Sequence, residues 1–168
     1  RVSFSNYIRM ISTIKYSSRR LTFGEWVKEN QQHTFMSVLR LKSLKAPMLI
    51  HFDREFSYGT INLLAGEESR GFEPEGSKEF TQIELSMLRP VADLVINDLN
   101  EAWFPVENIQ AEYLRTEINA QFVGIIPPDE RVIAITFEIE FSNRKGAIEL
   151  LFPYSMLFPI RDKLYTNV

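Results

Sequence analysis

Cysteine is absent from these 168 residues. That excludes a disulfide framework, a thiolate nucleophile, a zinc ribbon and an iron–sulfur cluster. Histidine is nearly absent too, with only His33 and His51. Neither has a second histidine or a paired carboxylate at ligand spacing, so both read as structural residues rather than metal ligands. The 7 glycines form no P-loop, no G-x-G-x-x-G and no nucleophile elbow. Long apolar runs are missing: Val132 to Ile135 and Leu150 to Pro153 are short beside the roughly 20 residues a membrane span needs, and no signal peptide is visible. A net charge of -3 lacks the basic excess that phosphate contacts require, which argues against nucleic acid as a partner. What is present is a 45% hydrophobic chain with 13 phenylalanines, enough to bury the core of one domain and too apolar for disorder. These counts are compatible with a reducing, cytoplasmic compartment. The chain opens on Arg1 and its first residues read as a helix, so the sequence reads as a piece of a longer protein.

Two capping boxes announce helices. In Leu21-Thr22-Phe23-Gly24-Glu25-Trp26, Thr22 caps and Glu25 reaches back, with Leu21 and Trp26 as a hydrophobic staple. Phe80-Thr81-Gln82-Ile83-Glu84-Leu85 repeats the grammar. Behind it Leu88, Val91, Val95, Leu99 and Ala102 recur every three or four residues, widened by Leu94 and Trp103. The spacing predicts a helix over about 81–103, with Pro90 expected to kink it.

Strand patterns alternate with these. Ile133, Ile135, Phe137, Ile139 and Phe141 recur with a period of two, a turn is expected over Ser142 to Gly146, and Ile148, Leu150 and Phe152 resume the alternation. Phe35 to Leu41, a turn over Lys42 to Lys45, and Met48 to Asp53 form a second hairpin. Ile14 to Ser18 and Ile109 to Thr116 are weaker strand signals. Residues n and n+100 align across the two hairpins: Phe35 with Ile135, Leu39 with Ile139, Ile50 with Leu150, Phe52 with Phe152, and Lys45 with Lys145 in the turns. Two hairpins with equal turns would align in this way by themselves. The alternative is an internal duplication, two strand–strand–helix halves sharing one sheet.

The polar stretch from Gly66 to Lys78 is long for a connection without periodicity, and such loops tend to be functional or disordered. With Glu79 at its edge it carries five glutamates against Arg70 and Lys78. The glutamates between Gly66 and Gly71 would repel a phosphate. Pro127-Pro128-Asp129-Glu130 forms a second turn. One constellation on the long helix has suggestive spacing: Asp93, Asn97 and Asn100 fall at i, i+4 and i+7. It is similar to the D/S-x-x-x-E-x-x-N signature of the CheC/CheX phosphatases, in which an acid and an amide orient water against an aspartyl phosphate. Here Asn97 stands where the acid belongs, and the solvated polar face of an amphipathic helix is the simpler account of the pattern.

From Phe80 onward the chain resembles a known family. Glu79-Phe80-Thr81-Gln82-Ile83-Glu84, Asp98-Leu99-Asn100-Glu101-Ala102-Trp103 and Arg115-Thr116-Glu117 look like the FliM middle-domain family of the flagellar motor switch. So, above all, does Pro153-Tyr154-Ser155-Met156-Leu157-Phe158-Pro159-Ile160-Arg161. Upstream, Leu21 to Trp26 and Leu39-Arg40-Leu41-Lys42-Ser43-Leu44-Lys45 match in order.

The resemblance implies an α/β, pseudo-twofold, CheC-like fold whose sheet is covered by helices. It implies a single domain over 1–168, with halves of about 1–65 and 80–168 joined by loop 66–79. It implies a non-enzymatic role without cofactor: an interaction module that binds FliG and neighbouring FliM subunits at the cytoplasmic face of the inner membrane, in the flagellar basal body. The segment that captures phosphorylated CheY and the FliN-like domain are expected outside these residues, and Arg1 to Ile11 would be the tail of the family's first helix. The family meets FliG through a G-G-x-G loop, carried here by Gly66, Glu67, Glu68 and Ser69, followed by Arg70. The first glycine is kept; Glu67 brings bulk and charge where the second stood. Gln32-His33-Thr34 replaces the family's N-P-T. A response-regulator phosphatase is the alternative function, and a metabolite-binding α/β domain a third.

Overall fold

The computed structural model describes residues 11–65, 79–141 and 144–161, with the side chains of 11–13 and 141 excepted. Six strands form one sheet: β1 (Ile11–Thr22), β2 (Phe35–Leu41), β3 (Ala46–Phe52), β4 (Ala111–Glu117), β5 (Arg131–Phe141) and β6 (Arg144–Pro153). Among the described residues three α-helices accompany them: α1 (Phe23–Glu29), α2 (Arg54–Leu64) and α3 (Gln82–Trp103). Short 3-10 helices span Ala120–Phe122 and Tyr154–Ile160.

The strand order is β1-β5-β6-β3-β2-β4, and every neighbouring pair is antiparallel. Reversing that order exchanges β1 with β4, β5 with β2 and β6 with β3, which is the pattern of an internal twofold. The outer pairs agree residue by residue. Ser17–Thr136, Tyr16–Phe137 and Lys15–Glu138 on one side are counterparts of Glu117–Met36, Thr116–Ser37 and Arg115–Val38 on the other. Beyond these, β4 shifts register between Val38 and Leu39, leaving Leu114 as the extra residue of a bulge.

The hairpins depart from a gap-free repeat. Phe35 pairs with Phe52, yet Ile135 pairs with Leu150 rather than Phe152. The first turn spans Lys42 to Lys45 between the pair Leu41–Ala46, with Lys45 at φ 51°, whereas the second hairpin already closes at Phe141–Arg144. Gly146 therefore lies within β6, not in a turn. Lys145 likewise pairs with Glu140 across the strands and is no counterpart of Lys45. The glycine has a packing reason. A Cβ there would stand 2.6 Å from the backbone of Phe56, because the first turn of α2 lies directly against β6. Asp53 ties the same junction: its Oδ1 accepts from Phe56 N at 2.7 Å and Ala147 N at 3.0 Å.

Both capping boxes are formed, Thr22 with Glu25 and Thr81 with Glu84. In α3 the buried residues are Leu88, Val91, Ala92, Ile96 and Leu99. The stripe is thus turned toward Ile96, and Ala102 is exposed. Pro90 sits inside this helix, which continues through it. The strand expected over Ile14 to Ser18 is twelve residues long and starts at Ile11, which the sequence had assigned to a helix tail. Pairing with β5 along its whole length outweighs the polar composition of Lys15 to Arg20.

The sheet separates two apolar clusters. One gathers Phe35, Leu39, Ile50 and Phe52 under α2 and α3; the other gathers Trp26, Met36, Val38, Leu49, Ala134 and Leu151 beneath α1. Strands β2 and β3 are buried on both faces, so their side chains read as apolar runs rather than alternation.

Candidate functional site

The loop residues singled out by the sequence, Gly66, Glu67, Glu68, Ser69 and Arg70, lie outside the described residues. Its two roots are described. Helix α2 closes with Ala65, whose N–H donates to the Ile61 carbonyl at 2.9 Å. The chain re-enters at Glu79, and Phe80 stacks on Tyr58 of α2 with ring centroids 5.0 Å apart and planes 13° from parallel. The Arg54 guanidinium lies 5.2 Å from the Tyr58 centroid and donates to the His33 carbonyl at 2.7 Å. Burial raises the Tyr58 phenol above its ordinary value. Residues on α2 thus fix the exit and the re-entry of the 66–78 segment against the same core.

The three helix positions with phosphatase spacing are not brought into one open set. Asp93 is exposed and paired with Arg89 at 3.0 Å, and Asn97 is exposed as well. Asn100 is half-buried and committed to the backbone of Ala111. Its Nδ2 donates to the Ala111 carbonyl at 3.1 Å and its Oδ1 accepts the Ala111 N–H at 2.8 Å. Both ends of the amide are consumed in tying the last turn of α3 to the start of β4. No group of His, Asp or Glu among the described residues is arranged to hold a metal ion.

A polar network that the sequence did not point to lies under α1. Glu149 of β6 faces His51 of β3 across the central pair, with His51 Nδ1 3.4 Å from Glu149 Oε1. Trp26 Nε1 donates to the same oxygen at 2.8 Å, and Thr136 Oγ1 donates to Oε2 at 3.0 Å. Arg19 of β1 stands 3.7 Å from Oε2 while holding Glu29 of α1 in a two-pronged pair. His51 Nε2 is 3.1 Å from Thr34 Oγ1. Burial alone would raise the Glu149 carboxyl; the hydrogen bonds from His51, Trp26 and Thr136 outweigh it and bring the group down to about 2. Alternation in the second hairpin assigns Ile148, Leu150 and Phe152 to the core and so sends Glu149 to solvent. The sheet is covered on both faces, and the sequence signal for this site was an acid on a strand with no solvent side. Trp26, Thr34, His51 and Glu149 are buried and mutually satisfied, with Arg19 and Glu29 at the exposed rim, which suits a structural lock.

An apolar hollow of about 510 Å³ lies between α3 and the β1–β5–β6 part of the sheet, lined by Tyr16, Leu99, Trp103, Phe137 and Phe152 among others, with Asp98 as its one acid. A metabolite site would bring several polar groups to converge, and these residues do not.

The family model described as flagellar motor switch protein FliM matches residues 1–168, the whole chain. Among relatives, the chain is 31% identical over 165 residues to the flagellar motor switch protein FliM of Pseudomonas aeruginosa, covering 98% of this chain and 51% of that protein. Among solved structures, it is similar to the FliM middle domain of Vibrio alginolyticus, with a TM-score of 0.81, 28% identity, and coverage of 97% of this chain and 91% of that one. It also shares its fold with the matching chain in a FliG–FliM complex from H. pylori: the TM-score is 0.80 at 22% identity, covering 90% and 83%. The chain spans about half the length of the relatives it matches.

Proposed function

The chain belongs to the FliM family of flagellar motor switch proteins, and from that premise we infer that it works by contact rather than by catalysis. It is the middle domain of a switch subunit. It binds FliG and stands beside further copies of itself, at the cytoplasmic face of the inner membrane in the flagellar basal body. In the longer protein, phosphorylated CheY and FliN are the remaining partners, held by segments outside these residues. The observation that carries this reading is the family match over all 168 residues, supported by the likeness to a FliM chain in complex with FliG. Among the described residues no helix is long and apolar enough to cross a membrane, in keeping with peripheral attachment.

We assign the FliG contact to Gly66, Glu67, Glu68, Ser69 and Arg70. Support comes from the placement of this segment between the end of α2 and the Tyr58–Phe80 stack and from its acidic composition, which suits a basic partner surface. Co-purification with FliG tests the whole proposal. The unmodified protein is expected to capture FliG, and Glu67→Lys and Gly66→Asp to weaken that capture without unfolding the domain. Unchanged affinity in both variants would remove the loop from the interface. Asn100, which a phosphatase of the CheC type would need free, is spent on Ala111, so the phosphatase reading gains nothing from the structure.

A further inference from the structure

Arg54 is the first residue of α2, and it is only 9% exposed. Arginine is seldom buried that far, because its five N–H donors need partners at set angles in one plane. One of them donates to the His33 carbonyl at 2.7 Å, in the stretch between α1 and β2. The guanidinium carbon lies 5.2 Å from the ring centroid of Tyr58, four residues further along the same helix. Phe80 stacks on Tyr58, and the next residue, Thr81, is the N-cap of α3. A buried cation, a phenol ring and a phenyl ring thus follow one another to the point where the chain re-enters after the 66–78 segment.

These contacts differ in how sharply they depend on direction. Stacked rings slide over one another at little cost, whereas an N–H···O bond weakens steeply once its angle falls below ~120°. The backbone beside Arg54 is held as well, since Asp53 accepts from the N–H groups of both Phe56 and Ala147. With its backbone and its guanidinium each fixed by hydrogen bonds, Arg54 determines where the Tyr58 ring stands, and the stack passes that placement on to Phe80.

We propose that Arg54 is a positioning residue for the FliG contact, acting through Tyr58 and Phe80 rather than by touching FliG. It sets the fraction of molecules that present residues 66–70 in the form FliG binds. This rests on the proposed assignment of the FliG contact to that loop, and it adds a residue set behind the loop.

Binding kinetics of FliG on the full-length protein, read beside thermal melts, test it. Replacing a buried cation by an apolar side chain is often neutral for stability, so Arg54→Met is expected to stay folded and melt close to the native protein. A smaller competent fraction slows association and leaves dissociation of the formed complex unchanged. Arg54→Met is expected to slow association about 2- to 30-fold, the reach of a residue that acts on a site without contacting its ligand. Arg54→Lys, which keeps the charge and a donor but not the planar fork, is expected to fall between the two. Phe80→Leu should slow association as well, and adding Arg54→Met to it should slow it no further, because both act through one stack. An unchanged association rate in Arg54→Met, additive effects of the two substitutions, or a change confined to dissociation each overturns the positioning role. Unfolding of both Arg54 variants does the same, by making the residue a structural one alone. Glu67→Lys and Gly66→Asp are measured in parallel. If neither weakens FliG binding, the loop assignment fails and the proposal falls with it; if they weaken it and Arg54→Met does not slow association, the positioning role fails and the loop assignment stands.

Discussion

His51 and Glu149 oppose each other on the central strand pair of the sheet, next to the pair Ile50–Leu150; on the far side of Ile50–Leu150 stand Leu49 and Leu151. Under the internal twofold at an offset of 100 residues, the polar pair and the leucine pair are counterparts. The duplication therefore carries a polar pair in one orientation and an apolar contact in the other. The difference tracks α1, whose Trp26 reaches Glu149.

Glu149 makes stability depend on acid in a defined window. Its folded carboxyl titrates at about 2, below the ordinary value of 4.5, so its contribution is full above the unfolded value and is lost as the pH falls toward the folded one. The shift corresponds to about 3 kcal/mol. Urea midpoints compared at pH 7 and pH 3 should show the native chain losing stability that Glu149→Gln, already weakened at pH 7, does not lose again. Parallel acid losses in both chains would contradict the assignment.

Gly146→Ala is expected to destabilise the domain by about 1–3 kcal/mol, the range for forcing an extra methyl into a packed site. The obstacle is the Phe56 backbone at 2.6 Å, which cannot rotate away as a side chain would. A thermal melt reads the effect, and a neutral outcome would mean that α2 slides freely on β6.

Asn100→Ala removes both hydrogen bonds to Ala111 and should cost about 1–3 kcal/mol, while Asp93→Ala on the same helix face should stay within about 0.5 kcal/mol. Chemical denaturation of the two variants side by side distinguishes a clamp from a solvated face. Equal, small effects would show that Asn100 is not the tie between α3 and β4.

Tyr58 and Phe80 should be energetically coupled. A double-mutant cycle with Tyr58→Leu and Phe80→Leu is expected to return about 0.5–1.5 kcal/mol of interaction, the usual yield of a stacked aromatic pair. If the 66–78 segment meets FliG, both single variants should also weaken FliG capture, since they loosen one root of that segment. Additive stabilities would deny the stack any role in fixing it.

The local grammar was plain in the sequence. Thr22 with Glu25 and Thr81 with Glu84 need only residues three apart, and both boxes formed. The alternation in β5 and the pairing of the two hairpins were legible for the same reason. What escaped depended on distant partners. Lys15 to Arg20 become strand because β5 lies alongside, which no local pattern records. Gly146 looks like a turn residue until Phe56 is seen pressing on it. Glu149 looks solvent-facing until α1 covers that side of the sheet. The aligned hairpins suggested a uniform repeat, and the shorter second turn shifted the pairing by two residues without disturbing which face each residue occupies. Of the candidate FliG loop, the sequence supplied the residues and the structure supplies the roots.

The two hairpins meet through four residue pairs, from Leu49–Leu151 to Phe52–Ile148, whereas the β5–β6 hairpin is laced by ten. Each hairpin is in effect a stiff plank, and the planks share a short seam. A relative twist of the two hairpins must therefore shear both that seam and the contact of α2 with β6, where Gly146 and Asp53 hold the first turn of the helix.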